Sequence, residues 1–449
     1  MLFVSGSTRR FCDGVSRRGF LAAGSLGVVG LGLPDLLRAE SARKASGATS
    51  GKQRSVILIW QHGGPSQLDT FDMKPDAPLE IRGPYSSIPT VLPGLRVSEH
   101  LPYQARIADK TTIIRSFTHG NGDHFAAAHW ILSGYVGANG SDRIPRNPSM
   151  GSIAAQLLGT KRRGVPAYVN MNDGGFGFHG AAYLGVAYNP FRTGTFSYGN
   201  EGVPLPSANT SSFELVDGLS SQRITTRVSL REKLDRLRRD VDQSPTFESM
   251  DRVTQEAVDI LTSGRAREAF DLSLEDERTR EMYGDGWGEQ ALLARRLIEA
   301  GVRCVTLNTG YWDDHGNIKG ALDKKMPRHD RAVGVLIQDL AQRGMLDDTL
   351  VVTAGEFGRT PKINKDRGRD HWPQAQSILF AGGGFRHGQI IGATNDKAEH
   401  PTDRPVRPND FCAIIYHALG LDPHQATIKN LQGRPVYLLE EGAVPPEML

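Results

Sequence analysis

Within Thr349–Pro373, TLVVTAGEFGRTPKINKDRGRDHWP, a carboxylate, a run of cations and an Asp-His pair gather behind a short apolar segment. Glu356 follows the break at Gly355; Arg359, Lys362, Lys365, Arg367 and Arg369 come next; Asp370 and His371 close the stretch. Carboxylate mixed with imidazole is a donor set for zinc, manganese or iron rather than for calcium or magnesium alone. Cations beside it suit an anionic substrate. An ordinary charged surface loop has the same composition, so the stretch alone leaves both readings open.

Comparable groups recur along the chain. His62 and Asp69 lie in QHGGPSQLD, directly after an apolar run. His119, Asp123, His124 and His129 fall within eleven residues of a chain holding 13 histidines. Asp313, Asp314 and His315 lie in GYWDDHGN. None of these groups is specific by itself. Their shared placement is the informative feature, because each follows a predicted strand.

The elements that must position them are buried strands and the helices between them. Ser55–Trp60, Thr111–Ser116, Pro166–Met171, Val302–Asn308, Leu350–Ala354 and Gln376–Phe380 are short, β-branched or apolar, and bounded by turn residues. Helices are predicted after His124 up to Gly134, over Gly288–Ala300, from Pro327 as first residue to Arg343, and over Asn409–Leu419. Strand, helix and strand across 302–354 read as a βαβ unit. In an open parallel sheet, ligands bind outside the carboxyl ends of the strands, so distant clusters meet on one edge. The expected fold is a three-layer α/β/α domain over residues 51–449 with a mostly parallel sheet. A helical insertion is expected at about 221–300, including an amphipathic helix with Leu230, Leu234, Leu237 and Val241 inward.

Composition bounds the rest. A chain of 449 residues with 39% hydrophobic and 23% charged residues is of ordinary globular type. A net charge of +3 is too small to argue for nucleic acid or an anionic membrane surface, and neither nucleic acid nor stable membrane insertion is expected. Residues 1–50 carry Arg17-Arg18 before a glycine-rich apolar run too short for stable membrane insertion. This pattern reads as a twin-arginine export signal and places the mature chain in the periplasm or cell envelope. Cys304 and Cys412 sit in apolar segments and read as buried thiols, with a disulfide between them left open.

HGGPSQLDTFD, GYWDDHGN, TAGEFGRTP and GRDHWP together resemble the domain-of-unknown-function 1501 family of exported bacterial proteins. That family is similar to the alkaline phosphatase and sulfatase superfamily. The resemblance implies an alkaline phosphatase-like sheet with one or two divalent ions at its strand ends, zinc before manganese or iron. Asp313, His315, Glu356 and His371 fall at positions matching superfamily ligands, and His62 stands where the first strand should end in an Asp ligand. His124 occupies the place of the hydroxyl nucleophile, and no Cys-x-Pro-Ser-Arg is present. The implied activity is hydrolysis of a phosphate or sulfate ester through metal-bound water, with His124 and Arg359 catalytic and Arg359, Lys365 and Arg369 on the substrate anion. A non-catalytic metal- or ligand-binding envelope protein on the same fold is the alternative, since fold alone does not establish activity.

Overall fold

A computed structural model describes residues 54–137, 144–173, 179–195, 226 and 245–449. Eight strands form its sheet: β1 Ser55–Gln61, β2 Thr111–Phe117, β3 Tyr168–Asp173, β4 Phe191–Thr195, β5 Cys304–Thr309, β6 Thr349–Ala354, β7 Gln376–Gly382 and β8 Gln389–Ile391. Their order across the sheet is β8-β2-β7-β6-β1-β5-β3-β4. Only β7 runs antiparallel to its neighbours. The expected α/β class and mostly parallel sheet are thus present.

Alternation along the strands builds two cores. In β1, Ile57 and Ile59 join one cluster, while Val56, Leu58 and Trp60 join the other. This period of two is what a strand buried on both faces imposes. Helices α3 (Trp287–Ala300) and α4 (Ile318–Gln342) pack on the Ile57 face. Helices α1 (His124–Ser133), α2 (Met150–Leu157) and α5 (Pro408–Ala418) cover the other. Three layers result. Within the stretch expected as a helical insertion, α3 lies on the main sheet. The helices Pro245–Ser263, Arg265–Phe270 and Glu277–Tyr283 precede it. The segment Leu230–Val241 and residues 1–50 lie outside the described residues.

Several boundaries differ from the sequence reading, two of them beside the loop that carries Asp313. Helix α4 begins at Ile318 rather than at Pro327, which sits inside it. Asn317 caps its start by accepting from the Gly320 amide, and Ile318, Leu322 and Met326 extend the buried stripe back through the proline. Proline removes one backbone bond there, and the continuous apolar face outweighs that loss. Strand β5 begins at Cys304, with Val302 buried in the turn before it. Cys304 and Cys412 are both buried free thiols. Among the described residues, no helix is long and apolar enough to cross a membrane.

The register explains how the sheet gathers the clusters. Trp60 of β1 pairs with Asn308 of β5 on one side and Ala354 of β6 on the other. The loops carrying His62, Asp313 and Glu356 therefore leave adjacent parallel strands at one edge. Strand β2 runs the same way and delivers His119 and His124. Antiparallel β7 starts at this edge, so His371 arrives from the segment before a strand rather than after one.

Candidate metal centre

Asp313 is the focus of the site. It leaves the β5 edge in a loop whose shape is set by buried contacts. The Trp312 amide donates to the His62 carbonyl at 2.7 Å, and the Trp312 indole donates to the Thr309 carbonyl at 3.0 Å. Lys325 of α4, with a side chain 1% exposed, donates to the Tyr311 carbonyl at 2.5 Å and to both oxygens of Asp314 at 2.6 and 2.7 Å. Asp314 is thereby engaged in an internal ion pair. Gly63 lies so close to this loop, with φ of 106°, that a Cβ there would stand 2.6 Å from the Asp313 amide nitrogen.

Three imidazoles turn their Nε2 atoms toward the Asp313 carboxylate. His371 Nε2 is 3.0 Å and His315 Nε2 2.9 Å from Oδ1, and His124 Nε2 is 3.3 Å from Oδ2. His315 Nε2 and His371 Nε2 are 3.1 Å apart. The opposite ring nitrogen of each meets a pure acceptor. His371 Nδ1 lies 2.9 Å from the Gly122 carbonyl, His315 Nδ1 2.7 Å from Asp370 and His124 Nδ1 2.6 Å from Glu356 Oε1. A proton on each Nδ1 would satisfy those acceptors and, with an ion bound, would leave each Nε2 lone pair for that ion. Metal-binding histidines are held in this manner by a carbonyl or carboxylate on the far nitrogen. Ligand atoms of His124, Asp313 and His371 all lie within 4.8 Å of one another, which a single ion can bridge.

Electrostatics follow from this crowding. Burial opposes the charge on Asp313, but bonds from His124 and His371, the Arg359 charge and the Tyr311 hydroxyl outweigh it. They hold its pKa well below the ordinary carboxylate range. Burial works to lower the His124 pKa, and Asp313 and Glu356 overcome it, pushing the group up to about 8. Its ion-free imidazole thus attracts a second proton where a cation would otherwise bind.

The remaining expected residues fall into distinct places. Glu356 is fully buried behind His124, and its Oε1 also accepts from the Gly63 amide at 2.9 Å. Its Oε2 is buried and has no hydrogen-bond partner among the described residues. His119 braces the Glu356 carbonyl at 2.8 Å, with burial pushing its pKa down to about 4. His62 is fully buried beside Tyr311, outside the three-residue group, and burial likewise pushes it down to about 4 despite Glu356 nearby. Asp123 caps α1 through the Ala126 amide, and His129 binds the Tyr135 carbonyl.

The two arginines differ from expectation. Arg359 is fully buried, and its guanidinium donates to the Gly63, Gly64 and Arg369 carbonyls and to Asp313 Oδ1. Arg369 is also fully buried, paired with Asp69 at 2.8 Å and bonded to the Ile81, Thr360 and Pro361 carbonyls. Both side chains are engaged inside the protein, which places them in the framework instead of on a substrate anion. Asp69 is accordingly a counter-ion, not a ligand. Lys365 is exposed on the loop beside His315.

The residues fit a divalent ion: mixed imidazole and carboxylate donors converge, their far nitrogens are fixed, and a buried carboxylate oxygen stands unsatisfied nearby. Sequence reading missed Lys325 and Tyr311 as supports of this loop. Both lie near the motif, but only the path of α4 shows that Lys325 reaches Asp314.

Among solved structures, the chain is similar to PsFucS1 sulfatase from Pseudoalteromonas sp., at 13% identity and TM-score 0.39 over 85% of this chain and 71% of that one. It is similar to the lipoteichoic acid synthase LtaP from Listeria monocytogenes, at 11% and 0.36 over 86% and 78%. A third likeness is to the zinc complex of the C-terminal periplasmic domain of EcEptC from Escherichia coli, at 9% and 0.34 over 87% and 95%. Such distant likenesses carry nothing about the reaction, which must rest on the site itself. No curated protein matches the chain. The DUF1501 family, described as a protein of unknown function, matches residues 53–449, and the chain belongs to that family.

Proposed function

We propose that this protein is a metal-dependent hydrolase of a phosphate or sulfate ester. The observation that supports this reading best is the convergence of three Nδ1-anchored imidazoles on one part-buried carboxylate. One or two divalent ions would be held there, zinc before manganese or iron, with His124, Asp313 and His371 as ligands and His315 beside them. When bound, such an ion polarises an ester oxygen and lowers the pKa of water to about 7, so no protein hydroxyl is required. That suits a site where His124 stands at the first turn of α1 in the place of a hydroxyl nucleophile.

The chain's own groups would then divide the work. Gly122, Asp370 and Glu356 orient the three rings and keep their lone pairs directed at one point. Lys325 fixes the loop that presents Asp313. His315 and Asp370, with side chains 47% and 53% exposed, stand at the opening where a substrate would arrive. Exposed Lys365, on the loop whose Asn364 donates to the His315 carbonyl, would be the cation to meet an anionic group. Export to the periplasm or envelope belongs to the same reading and rests on Arg17 and Arg18; replacing both with Lys should retain the precursor in the cytoplasm.

A panel of aryl phosphate monoesters, diesters and aryl sulfates, assayed with added zinc, manganese or iron, tests the activity. Turnover that disappears in His371→Ala supports it. A phospho-enzyme trapped on Ser66 or Thr118 would contradict the mechanism. Silence across the panel by the ion-loaded protein would leave a binding protein on the same centre.

A further inference from the structure

A guanidinium cannot shed its charge at any ordinary pH, so a buried one must be paired. Arg359 is fully buried, and among the described residues Asp313 is the only acid it pairs with, Nη2 to Oδ1 at 2.5 Å. That same Oδ1 lies 2.9 Å from His315 Nε2 and 3.0 Å from His371 Nε2. A permanent positive charge therefore lies one hydrogen bond from a ligand atom of the centre. Three more of its donors go to the carbonyls of Gly63, Gly64 and Arg369, which hold it in place.

We propose that Arg359 is a positioning residue whose charge, acting through Asp313, lowers the centre's affinity for cations and raises the affinity of the ion-loaded centre for oxyanions. This rests on the reading of the site as a metal centre for phosphate or sulfate esters. With a divalent ion bound and the histidines neutral, the carboxylates of Asp313, Glu356 and Asp370 are balanced by the ion and Arg359 together. The loaded centre is then neutral. Without the guanidinium it would keep one net negative charge and repel an anion. Charges a few ångströms apart in a buried site interact strongly enough for this to matter.

The test is calorimetric titration of the metal-free protein with Zn2+, then of the zinc-loaded protein with inorganic phosphate. It compares wild type with Arg359→Gln, which keeps an amide donor for the Gly63 and Gly64 carbonyls, and Arg359→Lys, which keeps the charge. The Gln variant should bind zinc about tenfold tighter and phosphate about tenfold more weakly, a trade that mere structural damage would not produce. The Lys variant should stay within about threefold of wild type on both. Parallel loss of zinc and phosphate affinity in the Gln variant would overturn the proposal, as would unchanged zinc affinity. If the Gln variant does not fold, the Lys variant decides: wild-type constants support the role of charge, and loss of either contradicts it. A wild-type protein that binds no zinc overturns the metal centre as well, whereas failure of the trade in a zinc-binding protein overturns this inference alone.

Discussion

The floor of the centre and its rim use the same residue types in opposite ways. On the floor, Asp69 with Arg369 and Asp313 with Arg359 are buried pairs whose arginines are also tied to backbone carbonyls. At the rim, His315 and Asp370 are about half exposed and bond to each other at 2.7 Å. A buried charge is expensive without its partner, so floor pairs hold loops in place. An exposed pair contributes little to stability, so its value lies in how it sets a ring for binding. The contrast separates residues that build the centre from residues that tune it.

Breaking the floor should give the largest effect. Asp69→Ala leaves Arg369 buried without its carboxylate and is expected to cost about 3–5 kcal/mol in urea unfolding. A loss below about 1 kcal/mol would mean that the pair does not hold the 62–69 loop against the 359–371 segment. At the rim, Asp370→Asn should change stability by less than about 0.5 kcal/mol. Its zinc affinity should nevertheless fall about tenfold, because a neutral amide oxygen holds His315 Nδ1–H more weakly and makes the ring a poorer donor to the ion. Unchanged zinc affinity there would erase the distinction between floor and rim.

The smallest expected effect concerns a buried group that neither region uses. His329 of α4 is edge-on to Trp312, with ring centroids 5.2 Å apart, and both its nitrogens lack hydrogen-bond partners among the described residues. Burial pushes its pKa down to about 3, and that of His179 as well. The folded protein refuses protons that the unfolded chain takes up near pH 6.5. Their contribution is therefore present above 6.5 and is lost as pH falls toward 3. His329→Phe should raise stability at pH 7 by about 1 kcal/mol and make the acid limb shallower, both read from urea midpoints at pH 7 and pH 5. A steeper limb would contradict this account of His329.

Much of the scaffold was legible because strand ends announce themselves. Apolar runs followed by glycine and a polar cluster located β1, β2, β5 and β6, and the parallel-sheet rule brought their loops to one edge. The direction of β7 was not legible, since a strand's pattern is the same in either sense. The start of α4 was misplaced because Pro327 imitates a helix opening, while the stripe Ile318, Leu322 and Met326 continues through it. Asp313, His315, Glu356, His371 and His124, singled out along the sequence, do meet in one cluster. Burial was invisible. Arg359 and Arg369 look like a cationic patch in one dimension, yet folding turns both inward to carbonyls and acids that are far away in sequence.

Metal content of the protein, purified without an affinity tag from metal-replete cells, tests the central claim most directly. Wild type should carry one or two divalent ions per chain, and His371→Ala should lose them while keeping its circular dichroism. Wild-type protein without metal, or His371→Ala with undiminished metal, would contradict the assignment of this centre.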